Sequence, residues 1–160
     1  MYSIRLAQVS DLPRIEAIYA YARLFMEETG NPHQWGKTNP PTVQLIQDIA
    51  DRRLYVITDH DGIHGVFYFY VGEDPTYCEI YDGAWHHNGV YGTIHRIAGD
   101  GSGGILKTAV AYCKQFVSCL RIDTHHDNTV MQKAVAKCGF NRCGIIYIAD
   151  GTARIAYDLL

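Results

Sequence analysis

The chain has 160 residues, a formal net charge of −3, and charged residues at 19% of its positions. A chain of this length predicts one domain, residues 1–160, with a sizeable core. The acidic balance argues against a general nucleic-acid binder, and no apolar stretch is long enough to cross a bilayer. We therefore expect a globular protein whose partners include neither nucleic acid nor membrane.

The cysteines and the first residues predict the compartment in which the protein works. The five cysteines form no CxxC pair, and their odd number and scattered spacing fit reduced thiols. The opening stretch MYSIRLAQVSDLP has no signal-peptide pattern. Both observations favour a cytoplasmic protein.

The first half of the chain predicts a strand, two helices and then a run of strands. Residues 2–8 alternate as a strand, and the N-cap Ser10 precedes apolar residues at helical spacing that end before Gly30. A turn-rich loop at residues 33–41 leads to Thr42, which caps a second helix. Four strand patterns follow this helix, at residues 54–59, 64–71, 76–81 and 90–98.

The second half predicts alternating helices and strands that close with a hairpin. A glycine-dense turn at residues 99–104 opens a helix, and residues 120–124 form a short buried strand. The next helix has Asp127 or Asn128 as its N-cap and Gly139 just after its end. Right-handed crossovers make this part parallel, whereas the central strands are antiparallel, so the fold class is mixed α/β (α+β). Two terminal strands complete the chain, at residues 142–149 and 153–160.

The glycine-dense turn is typical of a phosphate-binding loop, and two nucleotide templates can be compared with it. A P-loop requires GxxxxGK[ST]; Gly99 and Gly104 have this spacing, but Ile105 stands where the lysine belongs, which excludes an ATP or GTP P-loop. The dinucleotide pattern GxGxxG fits Gly99, Gly101 and Gly104, with Asp123 at the end of the next strand. This pattern falls late in the chain and leaves too few residues for a second nucleotide-binding half.

A coenzyme A pyrophosphate turn is the third template. It needs a strand end, small residues that expose successive backbone N–H groups, and the positive end of a helix dipole. The turn offers all three, and the glycines there exceed what a tight strand-to-helix turn requires. The amides that would hold the pyrophosphate are those of Gly101, Ser102, Gly103, Gly104 and Ile105.

Several segments, taken in order, carry a resemblance to a known family. They are IRLAQVSDLPRIEAIY, IHRIAGDGSGGILKTAV, LRIDTHHDNTVMQKAVAKCGF, RCGIIY and ARIAYDL. Together they resemble the GNAT superfamily of N-acetyltransferases over nearly the whole chain, and DPTYCEIYDGAW is similar to a stretch found in one bacterial branch. The resemblance implies a mostly antiparallel central sheet of about seven strands flanked by about four helices. Strands 4 and 5 of that sheet would be parallel and splayed apart.

The resemblance also implies an activity and a co-substrate. GNAT enzymes transfer an acetyl group from acetyl-CoA to a primary amine by direct attack through a tetrahedral intermediate. The acceptor would be a small molecule, an amino acid or a peptide, and a homodimer is implied as a possible assembly. Direct attack forms no covalent enzyme intermediate, so the cysteines need not react.

The resemblance places the coenzyme in the gap between the fourth and fifth strands. The backbone of Ile97 and Ala98 would pair with the pantetheine arm, and Asn128 would contact the coenzyme from the other side. The capping role predicted above explains Asn128 equally well. The family loop (Q/R)xxGx(G/A) fits in two registers that the sequence leaves open: Arg96, Gly99 and Gly101, or Ala98, Gly101 and Gly103.

One position departs from the family pattern. Many members carry a tyrosine seven residues after the asparagine, and it protonates the leaving thiolate; here that position is Val135. The usual general acid is therefore missing. This departure keeps a second hypothesis open, namely a non-catalytic module that binds acyl-CoA or an NAD-type dinucleotide.

The chemistry requires a base, because an amine with a pKa of about 10.4 must lose its proton before it attacks. His95 on the fourth strand is a candidate, since imidazole titrates near neutrality. His125 after the fifth strand and Glu79, acting through a water, are the other candidates. Asp123 would orient a histidine.

Aromatic residues in turn-rich segments predict the acceptor pocket. Trp35, Tyr77 and Trp85 are the candidate substrate-binding residues, although tryptophans that anchor their loops would show the same pattern. The histidine pairs at residues 86–87 and 125–126 raise the question of a metal. Adjacent side chains on an extended chain point to opposite faces, and no second ligand pair stands at a zinc spacing, so we predict no metal site.

Overall fold

The computed structural model describes residues 1–160 as a seven-stranded sheet with helices on both faces. Its strands are β1 (Ser3–Leu6), β2 (Leu54–Asp59), β3 (Gly62–Val71), β4 (Gly92–Gly99), β5 (Leu120–Thr124), β6 (Asn141–Tyr147) and β7 (Ala153–Leu159). Its helices are α1 (Leu12–Glu28), α2 (Thr42–Ala50), α3 (Ile105–Cys113) and α4 (Thr129–Lys137). None of these helices combines the length and the apolar surface that crossing a lipid bilayer requires.

The strand order in the sheet is β1-β2-β3-β4-β5-β7-β6. Only β4 and β5 are parallel, and every other neighbouring pair is antiparallel. A parallel pair needs a crossover connection, and α3 supplies it. The mixed fold class predicted from the sequence is therefore confirmed, including the parallel fourth and fifth strands.

The segment at residues 76–81 is not a strand, contrary to prediction. A short 3-10 helix spans Pro75–Tyr77, and Tyr81 forms only an isolated bridge with Ile145. The carboxylate of Asp74 accepts a hydrogen bond of 2.9 Å from the amide of Thr76, and a proline follows at the first helical position. An N-cap and a proline start a helical turn, and this local chemistry overrides the strand pattern.

Two helix starts also differ in detail from prediction, and a third agrees. A 3-10 turn at Val9–Asp11 precedes α1, so Ser10 lies inside the turn and is not its cap. The residue before α2 is Pro41, so Thr42 is the first helical residue. The Asn128 side chain accepts a 3.0 Å hydrogen bond from the amide of Met131, which confirms it as the N-cap of α4.

The core lies on both faces of the sheet, because successive strand residues point to opposite sides. On β3, Val66 and Tyr68 pack under α1 and α2, whereas Phe67 and Phe69 pack under α3. Val135 of α4 belongs to the second of these clusters and is fully buried. Helices thus cover both faces of the central strands, and the sheet opens only where neighbouring strands separate.

Candidate active site

Strands β4 and β5 separate shortly after they begin. They are paired only at Gly92 with Leu120 and at Thr93 with Arg121. On the other edge of β4, Arg96 and Ile97 together face a single β3 residue, which is a β-bulge. A bulge bends its strand, and this one turns β4 away from β5. The result is a cleft between the two strands at their carboxyl ends.

The bulge is held in place by contacts from both helices on that face. Arg96 has a positive φ of 50°, a conformation that costs an arginine on the order of 1 kcal/mol. Its carbonyl oxygen accepts a 2.7 Å hydrogen bond from the Tyr19 hydroxyl on α1. Its guanidinium lies 2.8 Å from the buried carboxylate of Asp48 on α2. The geometry that opens the cleft is therefore stabilised from outside the strand.

The turn from β4 to α3 presents free backbone amides to this cleft. Gly101 and Gly104 have φ values of +96° and +81°, which favour glycine, and a Cβ at Gly103 would have no atom within 4 Å. The amides of Gly101, Gly103, Gly104 and Ile105 donate to no acceptor in the protein. Unpaired amides at the positive end of α3 form a site for an anion such as a pyrophosphate.

The other positions of the turn have different partners. The amide of Ser102 donates to the Asp100 carboxylate at 3.0 Å, so that amide is already engaged. Gly99 ends β4 and packs against Ile105. The Arg96 side chain pairs with α2, as described above, and not with the turn. The free amides thus begin at Gly101, which favours the second of the two loop registers.

The negative charge of Asp100 in this turn is balanced by neighbouring side chains. Asp100 pairs with Arg14 of α1 and with His64 of β3, both at 2.8 Å. Burial alone would raise the pKa of Asp100, but hydrogen bonds from Ser102 and His64 outweigh it and lower that pKa to about 2. The same contacts with Asp100 and Asp59 raise the pKa of His64. The negative charge of Asp100 is therefore balanced close to where a phosphate would bind.

A cavity of about 600 Å³ opens beside the cleft. Its walls come from both parted strands, the loop after α1, the hairpin between β6 and β7, and β7 itself. Residues that line it include Gln34, Trp35, His95, Ile97, Asp123 and Arg154. The volume is that of a site for a small molecule.

His95 lies in this cavity between two carboxylates. Its Nε2 is 2.8 Å from the Asp74 carboxylate, a hydrogen-bond distance, whereas its Nδ1 is 3.7 Å from the Asp123 carboxylate, which is too long for one. The rings of Tyr68 and Tyr77 pack on the imidazole with centroids 5.6 and 5.5 Å away. The ring is thus fixed through Nε2, and Nδ1 remains free to accept a proton.

The two acids differ in their surroundings. Burial would raise the pKa of Asp74, but the hydrogen bond from His95 and the amide of Thr76 lower it to about 2. Asp123 accepts a 2.6 Å hydrogen bond from the Tyr77 hydroxyl. Burial raises the pKa of Tyr77 well above its usual value, so this phenol stays protonated and acts as a donor.

Asp74→Asn is expected to remove part of the acid dependence of stability. Asp74 has a folded pKa of about 2 against an ordinary value of 3.8. The ionised Asp74 carboxylate therefore adds about 2 kcal/mol to the free energy of unfolding when the pH is above its ordinary pKa. This contribution is lost as the pH falls through the pKa of the folded state. The difference in unfolding free energy between wild type and variant, measured with urea, should shrink by about 2 kcal/mol from about pH 5 to about pH 2. A difference that stays constant contradicts this assignment.

Comparison with solved structures supports the resemblance to the GNAT superfamily. An acetyltransferase of the GNAT family from Streptococcus agalactiae is 28% identical to this chain, with a TM-score of 0.89. The match covers 99% of this chain and 95% of that one. Its fold is that of a GNAT-family acetyltransferase, which confirms the resemblance predicted from the sequence. Neither the protein-family profiles nor the curated proteins contain a match to it.

More distant structures share this fold. A ribosomal-protein-alanine N-acetyltransferase from Brucella melitensis is 17% identical with a TM-score of 0.64, and the match covers 99% of both chains. The yncA protein of Salmonella typhimurium, solved with acetyl-CoA as its cofactor, is 13% identical with a TM-score of 0.62. That match covers 99% of this chain and 92% of yncA.

The three candidate bases lie in different places in the structure. Only His95 lines the cavity. His125 is buried, its Nδ1 accepts a 3.1 Å hydrogen bond from the amide of Asp127, and burial lowers its pKa. Glu79 is exposed, and its carboxylate accepts a 2.9 Å hydrogen bond from Tyr81. The structure does not bring His125 or Glu79 together with His95.

The three aromatic residues predicted to bind the substrate also lie in different places. Trp35 lines the cavity and packs edge to face on Tyr19, with centroids 5.5 Å apart. Tyr77 is buried and does not line the cavity; it contacts the site through its ring on His95 and its hydroxyl on Asp123. Trp85 lies outside the cavity; its indole N–H donates to the Tyr77 carbonyl at 3.2 Å, which anchors its loop.

The remaining coenzyme candidates lie at the edge of the cleft. Ile97 lines the cavity, and Ala98 is buried in β4. The Asn128 side chain is occupied at both ends, because its oxygen caps α4 and its nitrogen donates to Gln34 at 2.9 Å.

Sequence reasoning missed three residues of the site. Gln34 accepts hydrogen bonds from Asn31 and Asn128, both at 2.9 Å, and so ties the loop after α1 to the base of α4. Asp74 had a usable signal, since an acid before proline is a cap. Gln34 and Arg154 carry no such signal, because their roles depend on contacts with residues about a hundred positions away.

The histidine pairs have protein partners in the fold. His86 Nδ1 is 2.8 Å from the Asp158 carboxylate and 3.4 Å from the sulfur of Cys143. Burial raises the pKa of Cys143 to about 12. His125 stacks on His126 with ring centroids 4.3 Å apart. The absence of a metal stays a prediction.

Proposed function

We propose that this GNAT acetyltransferase transfers an acetyl group from acetyl-CoA to a primary amine of a small molecule, an amino acid or a peptide. The proposal depends chiefly on one observation: β4 and β5 part after Thr93, and the turn that follows β4 has unpaired amides. The structure of yncA with acetyl-CoA supports this co-substrate for the fold.

The residues of the cleft fit acetyl-CoA. The amides of Gly101, Gly103, Gly104 and Ile105 would hold the pyrophosphate at the start of α3. The pantetheine arm would lie between the parted strands, where the bulge leaves one residue of β4 without a ladder partner. The thioester end would then reach the cavity that contains His95.

His95 would act as the base for the acceptor. A neutral imidazole that donates Nε2–H to Asp74 has its lone pair on Nδ1, and the buried carboxylate fixes this tautomer. The acceptor ammonium would give its proton to Nδ1, and the Asp123 carboxylate, which lies 3.7 Å from Nδ1, would attract the ammonium charge. The carboxylate of Asp74 would then stabilise the imidazolium that forms.

The acyl transfer follows from this arrangement. The amine nitrogen forms a bond to the thioester carbon, and a backbone N–H of Ile97 or Ala98 would donate to the resulting oxyanion. The C–S bond then breaks and the nitrogen releases its remaining extra proton to water, which leaves the neutral amide. The thiolate, with a thiol pKa of about 8–9, takes a proton from the His95 imidazolium or from water. Because Val135 is fully buried in the core, its position supplies no proton.

Val135 is also the observation that favours the second candidate, a non-catalytic acyl-CoA-binding module. An NAD-type site is favoured less, because it belongs to a doubly wound sheet with several parallel strands. In this sheet only β4 and β5 are parallel. The two candidates share the coenzyme and differ only in turnover.

Acetyl-CoA at about 100 times its Kd is expected to stabilise the protein by about 2.7 kcal/mol, which raises Tm by about 5–10 °C. NAD and ATP at the same concentration should leave Tm unchanged. A thiol-release assay with a panel of primary amines should then show turnover. Stabilisation by NAD alone would contradict the proposal, and stabilisation by acetyl-CoA without thiol release from any amine would support the binding module.

A further inference from the structure

Arg154 is a buried cation in the wall of the cavity. It lies on β7, lines the cavity beside Asp123, and is only 5% exposed. Charged side chains buried to this extent are almost always paired. No carboxylate oxygen lies within 4.0 Å of Arg154, whereas Arg96 in the same cavity pairs with Asp48 at 2.8 Å.

The hydrogen bonds of Arg154 leave part of its guanidinium unused. One terminal nitrogen donates to the carbonyl of the preceding residue, Ala153, at 3.1 Å. The other donates to the carbonyl of Gln34 at 3.3 Å. A guanidinium has five N–H donors, so three have no acceptor in the protein. Because Arg154 lines the cavity, a ligand there is within their reach.

The groups around Arg154 balance its charge only from a distance. Burial lowers the pKa of Arg154, and Asp123 and Asp150 raise it, but an arginine remains protonated in either case. Asp123 already accepts from Tyr77 at 2.6 Å, and Asp150 is exposed and accepts from the amide of Thr152 at 2.8 Å. The neighbouring His125, whose pKa is lowered by burial, adds no positive charge at neutral pH.

The cavity therefore has two poles. At one pole, His95 Nδ1 can accept a proton and the Asp123 carboxylate can attract an ammonium group. At the other, Arg154 offers free donors to an anion. Guanidinium groups bind carboxylates through two parallel hydrogen bonds, which gives both strength and orientation. Both poles line the same cavity, whose volume of about 600 Å³ suits one small molecule.

We propose that the acceptor is a free amino acid, with its amine at His95 and its carboxylate bound by Arg154. This inference rests on the proposed acetyl transfer, because it assigns that reaction a substrate class. The carboxylate would orient the amine toward the thioester, so an amine that lacks it would bind in several orientations. Peptides would then be poor acceptors unless their amine and carboxylate lie as close together as those of a free amino acid.

The experiment compares each of a panel of amino acids with its carboxamide, which keeps the amine and removes the charge. We expect kcat/KM for the acids to exceed that for the carboxamides by about 10- to 150-fold, the range for a hydrogen bond to a charged group. Equal values for acid and carboxamide in the wild type would overturn the inference without any variant.

Arg154→Gln should abolish this preference by raising KM for the acids, and Arg154→Lys should restore part of it. The matched control is Arg121→Gln. Arg121 is also a buried arginine, 4% exposed, but its guanidinium lies between Trp85 and Tyr91 at 3.9 and 3.8 Å, outside the cavity. The control should keep the wild-type preference, and a preference that persists in Arg154→Gln would overturn the inference.

Binding measured by calorimetry without acetyl-CoA separates this inference from the proposed function. The same amino acids should bind the wild type more tightly than their carboxamides do, and Arg154→Gln should lose the difference. Carboxylate-selective binding without any thiol release would overturn the acetyl transfer alone. Thiol release with acids and carboxamides at equal rates would overturn the carboxylate site alone. If no amino acid binds or reacts, the carboxylate site is wrong.

Discussion

His95→Ala is expected to lower kcat by a factor of about 100 or more while the affinity for acetyl-CoA stays unchanged. A positioned general base contributes about 100- to 10,000-fold, and His95 is the one candidate base that lines the cavity. Its Nε2 is committed to Asp74 at 2.8 Å, so the loss should appear in proton transfer and not in coenzyme binding. Steady-state kinetics with a saturating amine measures kcat, and calorimetry measures the coenzyme affinity.

Two companion variants test the assignment further. Asp74→Asn keeps the shape of the side chain but accepts the Nε2–H less strongly, so kcat should fall less than in His95→Ala and its pH profile should shift. His60→Ala serves as the matched control, because this histidine is exposed at the turn between β2 and β3. Wild-type turnover in a folded His95→Ala protein would remove the residue from the mechanism. A large loss of kcat in His125→Ala or Glu79→Gln instead would show that the base lies outside the cavity.

Gly103→Val is expected to weaken acetyl-CoA binding by about 100-fold or more while the protein remains folded. The added Cβ would meet no atom of the protein within 4 Å, so the native fold accommodates it. It would occupy the space through which a phosphate approaches the amides of the turn. The loss of two hydrogen bonds to a charged group, each about 1.5–3 kcal/mol, accounts for at least this change.

Calorimetry with acetyl-CoA gives the affinity, and Tm without ligand reports the fold. Gly103→Ala should lose less affinity than Gly103→Val, since a methyl group blocks less space. Gly104→Val is a poorer probe because its φ of +81° adds backbone strain, and it should also lower Tm. Unchanged affinity in folded Gly103→Val would show that the pyrophosphate does not bind at this turn.

Features that depend on neighbouring residues could be predicted from the sequence. Asn128 caps α4 because a short polar side chain can reach the amide three residues ahead. The glycines at 101 and 104 adopt positive φ values that few other residues tolerate. The resemblance to the GNAT superfamily then supplied the mostly antiparallel sheet and the parting of the parallel fourth and fifth strands. Local rules failed at residues 76–81, where the acid before a proline outweighed the strand pattern.

The sequence by itself determined the fold class, the order of the elements and the turn that suits a phosphate, because periodicity, caps and glycine conformations are properties of short segments. Only the tertiary structure decided which titratable groups meet. It placed Asp74 against His95, left His125 and Glu79 outside the cavity, and buried Arg154 with no carboxylate beside it. These contacts join residues from separate strands and loops, and burial and distance then set the proton affinity and the unmet hydrogen bonds of each group.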